Sequence, residues 1–317
     1  PEDYLFFETQ TVEIGNLDSR TGVDLGDILT FQVLSSAPSG VMTEVTLIVT
    51  DEDNYEHSTT IELIIGEAIN LFTYSFEENN GWTVGDLDDN ATAGIWEAAI
   101  PIATFFDGNQ AQPGSDNSDE GEKCFLTGAA TSSGSVGFDD VDGGKTTLLS
   151  PVFDLSGYNE ALVSYWRWYT NDVGDNPGTD HWQVDVTSDG QNWSALEYTN
   201  GSQAAWIQKN YLLSNSGVQL TEQVQFRFIA EDITNPGDSG SGGSIIEAAI
   251  DDFTLATFDT NPSLPGDLNG DGVLNVLDVV ALVNIVLAGG YSSEADINAD
   301  GYCNVLDVVI LVNMILE

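Results

Sequence analysis

Asp267-Leu-Asn-Gly-Asp-Gly-Val-Leu-Asn-Val-Leu-Asp278 returns 29 residues later as Asp296-Ile-Asn-Ala-Asp-Gly-Tyr-Cys-Asn-Val-Leu-Asp307. Extended to Leu287 and Leu316, the two stretches are identical at 14 of 21 positions, which identifies a duplication. Each copy opens with oxygen-bearing side chains at positions 1, 3, 5, 9 and 12: Asp267, Asn269, Asp271, Asn275 and Asp278, then Asp296, Asn298, Asp300, Asn304 and Asp307. A calcium ion takes six to eight oxygens at about 2.4 Å, and a loop that turns alternate side chains inward supplies them. Gly272 and Gly301 at position 6 permit the sharp turn, and position 7 offers a backbone carbonyl, from Val273 and Tyr302. Magnesium suits such a flexible loop of protein oxygens less well, so two calcium ions are expected here. Position 8, Leu274 and Cys303, is expected to join the paired loops in a small core.

An ordinary EF-hand has a helix on both sides of its loop and glutamate at position 12. Here position 12 is Asp, and a Pro/Gly linker stands where the first entering helix would be. The arrangement resembles the F-hand of type I dockerins, and the resemblance covers residues 265–317. It implies that helices follow the loops, over Val276 to Leu287 and Val305 to Leu316, and that the partner is a cohesin met partly by loop positions 10 and 11. Those positions are Val276, Leu277, Val305 and Leu306, where cellulosomal dockerins often carry Ser and Thr. Both helices are apolar almost all round, whereas a small solvated module should turn a polar face to water, so a second buried face is expected. The acceptors left open are a divergent cohesin, the protein's own β domain, or a neighbouring copy.

Over the whole chain the charge balance is extreme, with 52 acidic residues against six basic ones and a formal charge of −46. Nucleic acid and anionic membranes are disfavoured partners, and cations are favoured ones. No membrane insertion is expected, because the most apolar runs are interrupted by Asp278, Asn284 and Asp307. Cys124 and Cys303 imply no disulfide framework and are expected as separate thiols. The chain opens at Pro1 without a signal-like segment, which reads as a processed form or a fragment. The modules place it outside the cell or at its surface.

The fold class expected is mainly β: an immunoglobulin-like sandwich over 1–67, a jelly-roll sandwich over 68–258, a linker at 259–264 and the small all-α calcium module at 265–317. Residues 1–67 alternate as strands do, as in Glu44-Val-Thr-Leu-Ile-Val49 and Thr60-Ile-Glu-Leu-Ile-Ile65, but supply five or six strands where seven are usual. Residues 68–258 carry all seven tryptophans in short strands between Gly-rich loops. Tyr74-Ser-Phe-Glu-Glu-Asn-Asn-Gly-Trp82, Leu149-Ser-Pro-Val-Phe-Asp-Leu-Ser156 and Ile250-Asp-Asp-Phe-Thr-Leu255 resemble the MAM and cleaved-adhesin jelly rolls. That resemblance implies a structural cation, for which Glu77, Asp140, Asp142, Asp251 and Asp252 are the candidate ligands. Trp166 and Trp168 share one face of a strand and could stack on a sugar ring if exposed, although core packing is the commoner fate. Asn90, Asn192 and Asn200 head N-x-Ser/Thr sequons and could carry glycans.

Catalysis has little support. The histidines are His57 and His181, and neither HExxH nor GxSxG occurs. The expectation is a secreted, non-catalytic, calcium-dependent adhesion or assembly protein whose terminal module docks onto a partner or a neighbouring copy. Head-to-tail contacts of that kind can grow into homo-polymeric filaments. The alternative is the targeting and glycan-binding region of a secreted hydrolase such as a peptidase.

Overall fold

The computed structural model describes residues 4–9, 11–15, 26, 29–34, 37–51, 53, 55–133, 136–234, 243–258, 266–269, 274–292, 294–298 and 300–316. The chain divides into two compact units, Pro1–Ala68 and Ile69–Glu317. The expected linker at 259–264 lies outside the described residues.

In the first unit, β1 (Leu5–Phe7) pairs with β2 (Phe31–Val33), and β3 (Val41–Thr50) pairs with β4 (Glu56–Ile65), all antiparallel. The β3–β4 ladder runs unbroken from Val41 opposite Ile65 to Thr50 opposite Glu56. Its turn is closed by Asp51, whose Oδ1 accepts the N–H groups of Asp53 at 2.9 Å and Tyr55 at 2.8 Å. The five or six strands expected for a sandwich are not found among the described residues, which give two separate pairs. Only Ile65 is buried among the described residues of this unit. Strand alternation marks one face of a strand as apolar but does not say that a second sheet covers it.

The second unit begins with β5 (Ile69–Tyr74), β6 (Thr83–Val84), β7 (Trp96–Ala99), β8 (Phe105–Phe106), β9 (Asn109–Gln110) and β10 (Cys124–Thr127). It continues with β11 (Gly144–Leu149), β12 (Ala161–Thr170), β13 (Trp182–Thr187), β14 (Trp193–Thr199), β15 (Gln203–Leu212), β16 (Gln225–Asp232) and β17 (Glu247–Thr257). One sheet runs β15-β12-β17-β10-β7, with β5 also on β17; the other runs β14-β13-β16-β11-β6. Strands distant in sequence are neighbours in both sheets, as a sandwich wound across two layers requires. The mainly β fold class is therefore seen directly.

Between the layers lies a core rich in rings. Phe253 of β17 stacks parallel to Phe153, with centroids 6.0 Å apart, and meets Trp82 edge-on at 5.2 Å. Trp182, Tyr165 and Phe228 are also fully buried there, and their ring faces and edges meet at angles that favour aromatic attraction. Two helices close the chain, α1 (Val276–Ala288) and α2 (Val305–Leu316). Among the described residues, no helix is long and apolar enough to cross a membrane.

Candidate calcium and docking site

In the second loop every expected ligand position is described. Asp296 turns the chain by accepting the N–H of Asp300 at 3.0 Å on Oδ1 and that of Gly301 at 2.7 Å on Oδ2. Gly301 sits at φ 86°, a left-handed conformation that side chains disfavour, so glycine at position 6 has its physical reason. Asn298 Oδ1 accepts from Asp300 N–H at 3.0 Å and Asp300 Oδ1 from Tyr302 N–H at 2.9 Å, which coils the loop about its own oxygens. Asp307 is fully buried and receives Asn304 N–H at 2.8 Å and Asn298 N–H at 3.3 Å.

The first loop repeats this pattern where it is described. Asp278, also fully buried, receives the N–H groups of Asn275 at 2.9 Å, Leu268 at 2.9 Å and Asn269 at 3.3 Å. Asn275 caps α1 by accepting from Leu277 N–H at 2.8 Å, and Asn304 does the same for Leu306 at 2.8 Å. Asp267 belongs to the same loop, while Asp271, Gly272 and Val273 fall outside the described residues. The donors are all oxygen, from Asp and Asn side chains and the Tyr302 carbonyl, and this hard set fits calcium. Among the described residues, no three Asp, Glu, His or Cys side chains form a metal-holding group.

The module's core is small: Leu282, Leu311 and Ala295 are fully buried, with Leu274, Ile297 and Cys303 packed against them. Cys303 also trades hydrogen bonds with Ser292, and both cysteines are free thiols. Much of each helix stays outside this core. Val276 and Val305 are both 67% exposed, Leu277 and Leu306 are 58% and 51%, and Val280 and Val309 follow at 53% and 50%. Equal exposure at equivalent positions makes the apolar stripe, like the loops, a repeated feature.

Residues 265–316 match a family model described as the dockerin type I domain. No curated protein matches the chain. Among solved structures the chain is similar to the K1 cleaved adhesin domain of Lys-gingipain from Porphyromonas gingivalis W83, at 16% identity and a TM-score of 0.34, over 58% of this chain and 96% of that one. It is also similar to a family 22 carbohydrate-binding module of Clostridium thermocellum Xyn10B, at 11% identity and a TM-score of 0.30, over 60% of this chain and 96% of that one. At such low scores the fold rests on the sheets themselves.

Upstream of residues 265–316, the acidic residues singled out in the sequence fall into two groups. In the first, Glu77 accepts the N–H groups of Glu122 at 2.8 Å and Lys123 at 2.7 Å, which hold its carboxyl below its ordinary range. Asp251 accepts Asn117 N–H at 2.8 Å, while Asp252 takes Ser118 Oγ at 2.6 Å and Asn117 Nδ2 at 2.8 Å. Asp116 joins them, pushed up by burial and by the charges of Glu77 and Asp252, and burial raises Asp251 to about 7. Asp116 was missed in the sequence because nothing local marks it among so many acids.

Asp140 and Asp142 belong to the second group, with Asp180 and Asp232. Burial and the neighbouring Asp142 charge push Asp140 up to about 8, and burial with Asp180 pushes Asp232 up to about 7.

The aromatic pair does not form an open platform, and Trp168 takes the commoner course of packing inside. Trp168 is 5% exposed, donates its Nε1–H to the Ala111 carbonyl at 2.6 Å and meets Trp206 edge-on. Trp166 is only partly exposed, so a flat pair open to a sugar is absent. On the opposite face Tyr165 and Tyr169 enter the core and Arg167 reaches buried Glu197. The sequon residues Asn90, Asn192 and Asn200 are all exposed, but Nδ2 of Asn192 donates to Asp189 and that of Asn200 to the Gly178 carbonyl.

Proposed function

We propose that this chain is a secreted, non-catalytic, calcium-dependent adhesion or assembly protein in which the dockerin module docks the β-sandwich onto a partner or a neighbouring copy. The repeated stripe of Val276, Leu277, Val305 and Leu306 beside the calcium loops carries this reading. Apolar side chains left this exposed on both copies of a small module favour burial against another surface. Calcium is assigned to Asp267, Asn269, Asp271, Val273, Asn275 and Asp278 in one loop, and to Asp296, Asn298, Asp300, Tyr302, Asn304 and Asp307 in the other. Bound there, calcium would screen the loop carboxylates and fix the start of each helix, holding the stripe in one shape. A further cation between Glu77, Asp251 and Asp252 would relieve the crowding of acids around Asp116.

The glycan-binding alternative loses its proposed aromatic platform with the burial of Trp168. The test is light scattering and negative-stain imaging of the full chain in millimolar calcium and after chelation. Calcium-dependent particles larger than a monomer support docking between copies. A monomer in both conditions, without calcium-dependent binding to an immobilised cohesin, overturns the proposal.

A further inference from the structure

Trp182, Val184 and Val186 of β13 and Phe226, Phe228 and Ala230 of β16 are fully buried in the core. Alternation therefore turns Gln183 and Asp185 of β13, and Arg227 and Ile229 of β16, to the outer face of the five-stranded sheet. On the edge strand β14, Tyr198 stands opposite Gln183 and Trp193 stands opposite Thr187. Tyr198 and Trp193 are five residues apart, a spacing that in a regular strand puts two side chains on opposite faces. The register shift between Val184 and Asp185 inserts one extra residue in β14 and returns both rings to the outer face. Gln183 and Thr187 are four residues apart on β13, so the two rings are spaced by about 13 Å along the sheet.

Each ring is braced from one side. Tyr198 is 60% exposed although His181 lies nearly parallel to it, with centroids 4.5 Å apart, so imidazole covers one ring face and the other is open. The Arg227 guanidinium sits 4.4 Å from the Trp193 ring centroid, a cation–π contact that leaves the indole partly exposed. Arg227 is fixed in turn by Asp185, through Nε at 2.8 Å, and by Asp86 at 3.2 Å. Polar groups stand beside the rings. Gln183 donates Nε2–H to Asp185 Oδ1 at 2.8 Å, and an amide with two N–H donors and a carbonyl keeps capacity for a ligand. The Glu231 carboxylate lies 3.5 Å from His181 Nδ1 and is itself partly exposed.

Exposed rings held from behind, with amide and carboxylate groups alongside, match a molecule that has apolar C–H faces and a rim of hydroxyls. The bases described on this face are already paired, Lys145 with Asp88 and Arg227 with Asp86 and Asp185, and the chain carries a formal charge of −46. A polyanionic ligand is therefore repelled. The ring spacing is longer than one sugar, which calls for a chain of them. We infer that the outer face of the five-stranded sheet binds a neutral oligosaccharide, with one sugar stacked on Tyr198 beside Gln183 and a later one reaching Trp193. This face is separate from Trp166 and Trp168, which belong to the other sheet, and it works independently of docking through residues 265–316.

The test is affinity gel electrophoresis of the full chain in millimolar calcium, through gels that contain xylan, mannan or mixed-linkage β-glucan, with polygalacturonate as the anionic comparison. The expected result is retardation by at least one neutral glycan and none by polygalacturonate. Tyr198→Ala should bind at least about tenfold more weakly, while Tyr198→Phe, which keeps the ring, should stay within about threefold of the wild type. Thermal melting confirms that both variants fold, and Gln183→Ala gives a second reading of the same site. The double change Leu277→Asp and Leu306→Asp should leave retardation unchanged, and its loss there would move glycan binding to the terminal helices and overturn the inference. Absence of retardation by all three neutral glycans, or equal retardation of Tyr198→Ala and the wild type, would overturn it as well.

Discussion

Asp278 and Asp307 close their loops with the same bond: Asp278 Oδ2 accepts Asn275 N–H at 2.9 Å, and Asp307 Oδ2 accepts Asn304 N–H at 2.8 Å. Each fully buried carboxylate therefore ties the end of its loop to the first turn of a helix and stands at position 12, a ligand position in the proposed calcium loop. Asp307→Ala removes both functions. In chelator it should lower the stability of the module by about 1 kcal/mol, the usual cost of a lost helix cap. In calcium the loss should be larger, because an ion that binds the folded loop no longer adds its binding energy. Helical circular dichroism during urea unfolding, with and without calcium, measures both.

The exposed stripe allows docking to be separated from folding. Leu277 and Leu306 are more than half exposed, so the double change Leu277→Asp and Leu306→Asp should alter module stability by no more than about 0.5 kcal/mol. Association should be lost, since charge at the centre of an apolar contact is unpaired once buried. Sedimentation velocity in calcium reads association, and circular dichroism confirms the fold. Retained association would move the docking surface elsewhere.

Glu197 supports a different part of the molecule. On β14 it accepts Tyr165 Oη–H and Trp182 Nε1–H, both at 2.8 Å, and pairs with Arg167 and with Lys209 at 3.1 Å. Tyr165 and Arg167 belong to β12 and Lys209 to β15, so this one carboxylate bridges the two sheets. Glu197→Ala leaves a buried guanidinium without its partner and should cost about 3–5 kcal/mol. Tryptophan-monitored urea unfolding tests it, with a loss below about 1 kcal/mol counting against the bridging role.

The two loops stand out in the sequence because their proposed ligands lie within 12 consecutive positions and the whole pattern repeats. Asp140 and Asp142 were visible as acids, but their meeting with Asp180 and Asp232 depends on strand register between segments tens of residues apart. Alternation along β12 did separate Tyr165 and Tyr169 from Trp168. What it could not show is that both faces are covered, one by the opposite sheet and the other by the segment carrying Ala111. Likewise, the alternating pattern of β3 and β4 announces strands without fixing how many neighbours they gain.

Glu247 gives the pH dependence a direction. It is almost fully buried, accepts Gln112 Nε2–H at 2.9 Å, and burial with the nearby Asp140 charge pushes its carboxyl well above the ordinary range. A carboxyl raised in the folded state binds its proton more tightly there than in the unfolded chain. Its cost is therefore absent at pH below the unfolded value near 4.5, and grows as pH rises from there towards the folded value. Glu247→Gln keeps the shape and cannot ionise. It should melt close to the wild type at acid pH and a few degrees higher at pH 7 to 8, with the difference widening as pH increases. Melting curves followed by tryptophan fluorescence across that range, in chelator, measure it. A difference that narrows with rising pH would mean that the buried carboxylate gains more from its surroundings than burial costs it.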